Sequence, residues 1–177
     1  MKKENLMVCV DGVDGTGKTL LTTFLEEKLS IRRYSPIFPV AGERAPQGLK
    51  KWSDIAVCDM YAMYGFPIIM DRSFLSVCVY EVLEFEERLI EKWVENVSTY
   101  DSVIHIILYG EGDLLEFQKR KNDKFIPTDI LKRQNILFLK YGKIFEEKGL
   151  RVFKFRSDIK STEIIRGEVL NVIKANL

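Results

Sequence analysis

Gly12-Val13-Asp14-Gly15-Thr16-Gly17-Lys18-Thr19 carries the spacing G-x-x-x-x-G-K-T. It closes the apolar run Val8-Cys9-Val10 and precedes a helical pattern at Leu20, Leu21, Phe24, Leu25 and Leu29. Strand, glycine-rich turn and helix, in that order, form a phosphate-binding arrangement. The glycines let the backbone wrap an anion with its N–H groups turned inward, and the helix N-terminus adds a partial positive charge. Lys18 then reaches the β- and γ-phosphates of a nucleoside triphosphate, and the Thr19 hydroxyl reaches Mg²⁺. Gly12, Asp14, Gly15, Thr16, Gly17, Lys18 and Thr19 are therefore the candidate residues for binding a phosphoryl donor. Asp14 is out of character, because a carboxylate among phosphate-binding amides repels the ligand. It makes sense turned away, toward an acceptor hydroxyl or a metal-bound water, or else as a side chain that stabilises the turn.

Phosphoryl transfer asks a protein for positioning and charge neutralisation more than for covalent chemistry. Asp71, at the end of an apolar run, is placed to hold Mg²⁺ or one of its waters. Arg44 and Arg72 are candidate forks for an acceptor phosphate, since a guanidinium matches phosphate geometry with two parallel hydrogen bonds. A surface ion pair is the alternative for each. Lys119, Arg120, Lys121 and Lys124 form a basic stretch. It suits either a lid over the transferring group, at about residues 119–126, or a solvated turn.

These residues lie at the ends of a regular alternation of elements. Strands are expected at Leu6 to Asp11, about Tyr34 to Phe38, Phe66 to Met70, Val103 to Tyr109 and Val152 to Phe155. Helices are expected over Gly17 to Ser30, Leu49 to Tyr64 and Asp113 to Arg120, and through Phe74, Cys78, Val82, Phe85, Leu89 and Trp93. Another starts at Pro127-Thr128, with Ile130, Leu137, Tyr141, Ile144 and Phe145 on one side. Ser161 caps the last, carried by Ile164, Ile165, Val169 and Ile173. Such alternation implies a parallel sheet with right-handed crossovers and ligands at the carboxyl ends of its strands. The phosphate loop, Phe38-Pro39 with Arg44, and Asp71-Arg72 thereby converge on one crevice. His105, the only histidine, falls inside a strand and reads as a hydrogen-bonded core residue.

The chain of 177 residues suits one domain over residues 1–177, with a core that needs no staples. A net charge of +1 provides no broad field toward a nucleic acid polymer or an anionic membrane. Cys9, Cys58 and Cys78 sit in apolar stretches without metal-ligand spacing and read as buried thiols of a reducing compartment. No signal-like segment opens the sequence, and no apolar run approaches the ~18 residues of a membrane span, so a cytoplasmic protein is expected.

The loop Asp11 to Thr19 resembles that of thymidylate kinases, which reads E-G-x-D-G-A-G-K-[ST]. Phe38-Pro39 is similar to that family's F-P after the second strand. Asp71-Arg72-Ser73-Phe74-Leu75-Ser76-Val77-Cys78-Val79-Tyr80 is similar to its D-R-[YH]-x-x-S-x-x-A-Y, and Asp123-Lys124-Phe125 echoes the lid's D-R-F. The resemblance implies an α/β P-loop kinase fold, a five-stranded parallel sheet in the order 2-3-1-4-5 flanked by helices. It implies transfer of the ATP γ-phosphate, with Mg²⁺, to a deoxynucleoside monophosphate, foremost dTMP, giving dTDP. By the same resemblance Phe38 stacks on the acceptor base, Arg72 meets its phosphate, and Ser76 belongs to the acceptor site. Tyr80 would pack under the sugar and disfavour a 2′-hydroxyl. Lys18, Asp14, Arg72 and Arg120 would form the catalytic set. Three positions depart from the pattern: no arginine lies between Asp54 and Gly65, Ser73 replaces the aromatic or histidine, and Val77 stands where some members read the thymine edge.

Two other readings stay open. Asp71-Arg72-Ser73 also suits a deoxynucleoside kinase, which has an acidic-Arg-Ser triplet after its third strand. Such an enzyme wants a strand-end glutamate where Phe38-Pro39-Val40 supplies none, unless Glu43 stands in. A catalytically dead nucleotide-binding relative is the third. A guanine-reading switch is disfavoured, because Lys121-Asn122-Asp123-Lys124 holds the letters of N-K-x-D in the wrong order. The oligomeric state stays open, a homodimer included. Replacing Lys18 by Ala should cut phosphoryl transfer by ~10²–10³ with an unchanged circular dichroism spectrum, since it removes one preorganised cation. Retention of more than about a tenth of wild-type activity would remove this loop from the donor site.

Overall fold

Leu6–Gly12 is buried at every position, and a strand with no solvent-facing residue must lie in the middle of a sheet covered on both faces. A computed structural model of the chain, which describes residues 5–35, 66–80, 87–112 and 126–177, places it there as β1. β3 (Ile68–Asp71) and β4 (Ser102–Tyr109) flank it in parallel. β2 (Arg33–Tyr34) pairs with β3, and β5 (Arg151–Arg156) pairs with β4, both also parallel. The order is β2-β3-β1-β4-β5, as expected. The helices are α1 (Lys18–Leu29), α2 (Phe74–Tyr80), α3 (Glu87–Val97), α4 (Thr128–Glu147) and α5 (Thr162–Ala175).

Successive strand residues point to opposite faces, and the core divides accordingly. Met7, Cys9, Ile68, Met70 and Ile107 pack with Phe74, Trp93, Phe138 and Phe145 on one face. Leu6, Val8, Val10, Ile69, Ile104, Ile106 and Leu108 pack on the other with Leu21 and Leu25 of α1 and Ile165, Val169 and Ile173 of α5. Ser161 caps α5, its hydroxyl accepting from the Ile164 N–H.

The structure corrects several details. Leu20, Ile130 and Ile164 are exposed, while Leu21, Leu131 and Ile165 beside them are buried. Where two apolar residues adjoin, periodicity alone does not decide which one turns inward. Phe66 is exposed, and β3 begins at Ile68 and runs on to Asp71. Cys9 is buried but Cys78 only half-buried. Phe38, Arg44, Cys58, Arg120, the lid and the expected helices at Leu49 to Tyr64 and Asp113 to Arg120 lie outside the described residues. Among those described, no helix is long and apolar enough to cross a membrane.

His105 is buried as expected, but without the expected hydrogen bond: both ring nitrogens lack a partner. It meets Phe145 and Trp93 edge-on instead, at centroid distances of 5.1 and 6.2 Å. Burial lowers its pKa from 6.5 to about 4, and the charge of Asp11 opposes this only partly. The unfolded chain therefore takes up this proton at higher pH than the native one. The stability held by neutral His105 is complete above pH 6.5 and is lost as pH falls from 6.5 toward 4. Urea denaturation should show a loss of about 2 kcal/mol between pH 7 and pH 5, at ~1.4 kcal/mol per pH unit below the unfolded pKa. His105→Phe should flatten that slope; a wild-type stability independent of pH over this range would refute the neutral buried ring.

Candidate active site

The phosphate loop takes its shape from the sheet. Gly12, with φ 142°, lies where an added Cβ would collide with the carbonyl oxygen of Leu108 on β4. Only glycine lets the two strand ends close up. Within the loop the Thr16 hydroxyl donates to the Val13 carbonyl at 2.8 Å, and Lys18 Nζ donates to the same oxygen at 2.6 Å. Gly17, with φ 90°, is the N-cap of α1 and brings no side chain to cap it. The first N–H groups of a helix started in this way are left for a ligand or water. Thr19 is exposed at the same end.

Arg72 enters from the end of β3. Its N–H donates to Val10 O at 2.9 Å, and its φ of 84° is unusual for a side-chain-bearing residue. Nη1 donates to the Tyr80 hydroxyl at 2.9 Å, Nη2 pairs with Asp14 Oδ1, and the guanidinium lies 5.0 Å from the Tyr80 ring centroid. Asp14 also lies 3.7 Å from Lys18 Nζ. Its carboxylate thus faces two cations. Burial works against the charge on Arg72, but the Tyr80 oxygen and the Asp14 carboxylate outweigh it and hold its pKa above the ordinary value. Burial raises the Tyr80 phenol as well, against the opposing effect of Arg72. A neutral Tyr80 can accept from Arg72 while donating to Gly12 O at 3.4 Å.

Asp11 was not singled out in the sequence, yet it is wholly buried and its carboxylate accepts from the N–H and hydroxyl of both Ser73 and Ser76. The signal was available: a carboxylate at the end of an apolar strand, followed by glycine, needs buried donors. Ser76, expected at the acceptor, is itself fully buried with its hydroxyl on Asp11. Val77 is buried in the core. Asp71 is brought to the same edge, but its Oδ2 lies 3.4 Å from the Ser35 hydroxyl and 3.7 Å from Arg33 Nη1. A Mg²⁺ ion needs few protein ligands when phosphates and waters complete its octahedron. Thr19 at the start of α1 and the carboxylates of Asp14 and Asp71 are the groups that could hold it; each carboxylate already faces a cation, Asp71 at 3.7 Å from Arg33 Nη1 and Asp14 beside Lys18 and Arg72.

A second wall was also missed. Thr16, Gly17 and Leu108 line a cleft with Ser157, Lys160 and Arg166 from the β5–α5 region. The carboxyl end of β5 shares the ligand edge with the other strands, so the position of Ser157 to Ser161 was the clue. Asp158 fixes this wall, its Oδ2 accepting from the N–H groups of Glu111 and Gly112 at 3.0 and 2.8 Å. The Arg156 hydrogen bond, aided by those N–H groups against the effect of burial, lowers the Asp158 carboxyl to about 2.

No family model matches the sequence, and no curated protein matches it by sequence. Solved structures do. A deoxyadenosine kinase from M. mycoides with bound dCTP aligns at TM-score 0.62 and 15% identity, over 96% of this chain and 100% of that one. The thymidylate kinase of Candida albicans aligns at TM-score 0.62 and 15% identity, over 98% and 92%. A gluconokinase from Sinorhizobium meliloti aligns at TM-score 0.60 and 15% identity, over 99% and 95%. The fold is that of the P-loop kinases. At this identity the likeness extends no further, and it spans kinases named for a nucleoside, a nucleotide and a sugar acid.

The pairing of Asp14 with Arg72 is open to measurement. Asp14→Asn and Arg72→Met should each lower stability by about 1–3 kcal/mol, and the double variant should cost roughly 1 kcal/mol less than their sum. Additivity to within about 0.3 kcal/mol would mean that the two charges do not interact.

Proposed function

We propose that this chain is a nucleotide kinase that moves the γ-phosphate of ATP to a deoxynucleoside monophosphate, with dTMP the leading acceptor. One observation carries the reading: Arg72 is a second, half-buried cation beside the phosphate loop, reached from a different strand than Lys18. A donor alone needs Lys18 and the loop amides. An acceptor phosphate brings nearly two more negative charges to the crevice and needs a cation of its own. Arg72 answers that need, braced by Tyr80 and Asp14.

In this reading Lys18 leaves Val13 O for the β- and γ-phosphates and neutralises charge as it develops. Mg²⁺, when bound, would draw charge from the phosphate oxygens, held by the Thr19 hydroxyl with Asp14 or Asp71 on its waters. Arg72 exchanges Asp14 for the acceptor phosphate, and Tyr80 lies where a deoxyribose would rest. Phe38 and Arg44 would complete the acceptor site, and Arg120 would close over the transferring group from a lid at about 119–126. The triplet Asp71-Arg72-Ser73 and the likeness to a deoxyadenosine kinase favour a deoxynucleoside kinase as the second reading.

A panel of dTMP, dUMP, dCMP, dGMP, thymidine and deoxycytidine with ATP separates the two. The expected result is turnover of a monophosphate in preference to any nucleoside. Arg72→Met should lower kcat/KM for that acceptor roughly ten- to a hundredfold, the worth of one charge-assisted contact. Arg72→Lys should not restore it fully, because a point charge cannot reproduce the fork. Faster phosphorylation of thymidine or deoxycytidine, or an Arg72→Met enzyme with unchanged monophosphate turnover, would overturn the proposal.

A further inference from the structure

We infer that Asp11 is a positioning residue for Arg72, acting through the two serines that start α2. Asp11 lies two residues beyond Cys9 on the same face of β1, the face that α2 covers. Its Oδ1 accepts from the Ser73 N–H at 2.8 Å, the Ser76 hydroxyl at 2.6 Å and the Ser76 N–H at 3.2 Å. Its Oδ2 accepts from the Ser73 hydroxyl at 2.6 Å. That hydroxyl accepts in turn from the Leu75 N–H at 3.2 Å, so Ser73 caps α2 while Asp11 holds the cap. The first turn of a helix favours a negative charge. Here the charge is supplied by another strand, and that strand is the one that carries the phosphate loop.

The consequence falls on the residue before Ser73. A left-handed backbone at a residue other than glycine persists only where its surroundings over-determine it. Arg72 is held from both sides by neighbouring residues of β1: its own N–H is on Val10 O, and the next residue is on Asp11. This turn sends the guanidinium across to Asp14 and Tyr80. The phosphate loop and the arginine beside it are thereby mounted on one base, so their separation is set by Val10 and Asp11 rather than by flexible side chains.

The inference rests on reading Arg72 as the acceptor-side cation. Its test combines acceptor kinetics, ADP affinity by titration and the Nε–H resonance of Arg72 for Asp11→Asn, Arg72→Met and the double variant. Asp11→Asn should lower kcat/KM for the acceptor about tenfold or more, leave the ADP Kd within about twofold, and shift or broaden the Arg72 resonance. On the Arg72→Met background the same substitution should cost less than about threefold, because the group it positions is gone. A full loss on that background, or an unmoved Arg72 resonance, would reduce Asp11 to a structural residue and overturn the inference. Should Asp11→Asn fail to fold, Ser73→Ala removes the Oδ2 partner and leaves the other three contacts, with the same criteria. Failure of the kinase reading looks different: Arg72→Met then leaves monophosphate turnover unchanged, while a shifted resonance in Asp11→Asn still supports the positioning role.

Discussion

β1 has to pass from hydrocarbon to a glycine-rich turn within two residues. Through Val10 it is apolar and buried on both faces, and Gly12 already opens the loop. Any polar group at that boundary is cut off from water and must find its partners inside the protein. An unpaired carboxylate there would cost several kcal/mol. Asp11 is tolerable because the start of α2 meets it with two N–H groups and two hydroxyls. Gly12 answers the same constraint differently: lacking a side chain, it lets Leu108 of β4 close against the strand end. The loop owes its shape to its neighbours as much as to its own glycines.

The next consequence is electrostatic. Lys18 and Arg72 are both largely withdrawn from solvent and both face Asp14. Two cations at close range in a medium less polar than water repel strongly unless an anion lies between them. Asp14 is that anion, and a bound phosphate could take over the duty. The carboxylate that looked misplaced among phosphate-binding amides is thus placed to keep the site from charging up. Tyr80, kept neutral by burial, steadies Arg72 without adding a charge.

Much of this was legible in the sequence. The order of elements followed from apolar runs and turn residues, and Lys18, Asp14, Arg72 and Tyr80 were named from spacing and resemblance. What escaped depended on partners far away in the chain. Asp11 looks like a strand-end residue until Ser73 and Ser76, more than sixty positions later, are folded against it. His105 looked hydrogen-bonded because buried imidazoles usually are, yet its neighbours in space proved to be the rings of Trp93 and Phe145. Leu20, Ile130 and Ile164 show the limit of periodicity, since each adjoins another apolar residue that takes the inward position.

The sheet order also decides how two ligands could share the crevice. β1 stands between β3 and β4, so everything brought by β3 lies on one side of the phosphate loop and everything brought by β4 and β5 on the other. Arg72 comes with the first. The cleft of Ser157, Lys160 and Arg166 comes with the second, and it borders the loop at Thr16 and Gly17. Under the proposed activity, the body of the donor lies over β4 and β5, and the acceptor lies over β3. The transferring group then crosses the end of β1, where Lys18 sits. Under that activity the clamp of Asp158 on the N–H groups of Glu111 and Gly112 would hold the donor side as Asp11 would hold the acceptor side. In each case a carboxylate ties the end of one strand to backbone N–H groups that follow its neighbour in the sheet. An in-line transfer needs its two partners fixed to within a fraction of an ångström. Carboxylates bonded to backbone N–H groups are a stiffer means to that end than contacts between long side chains.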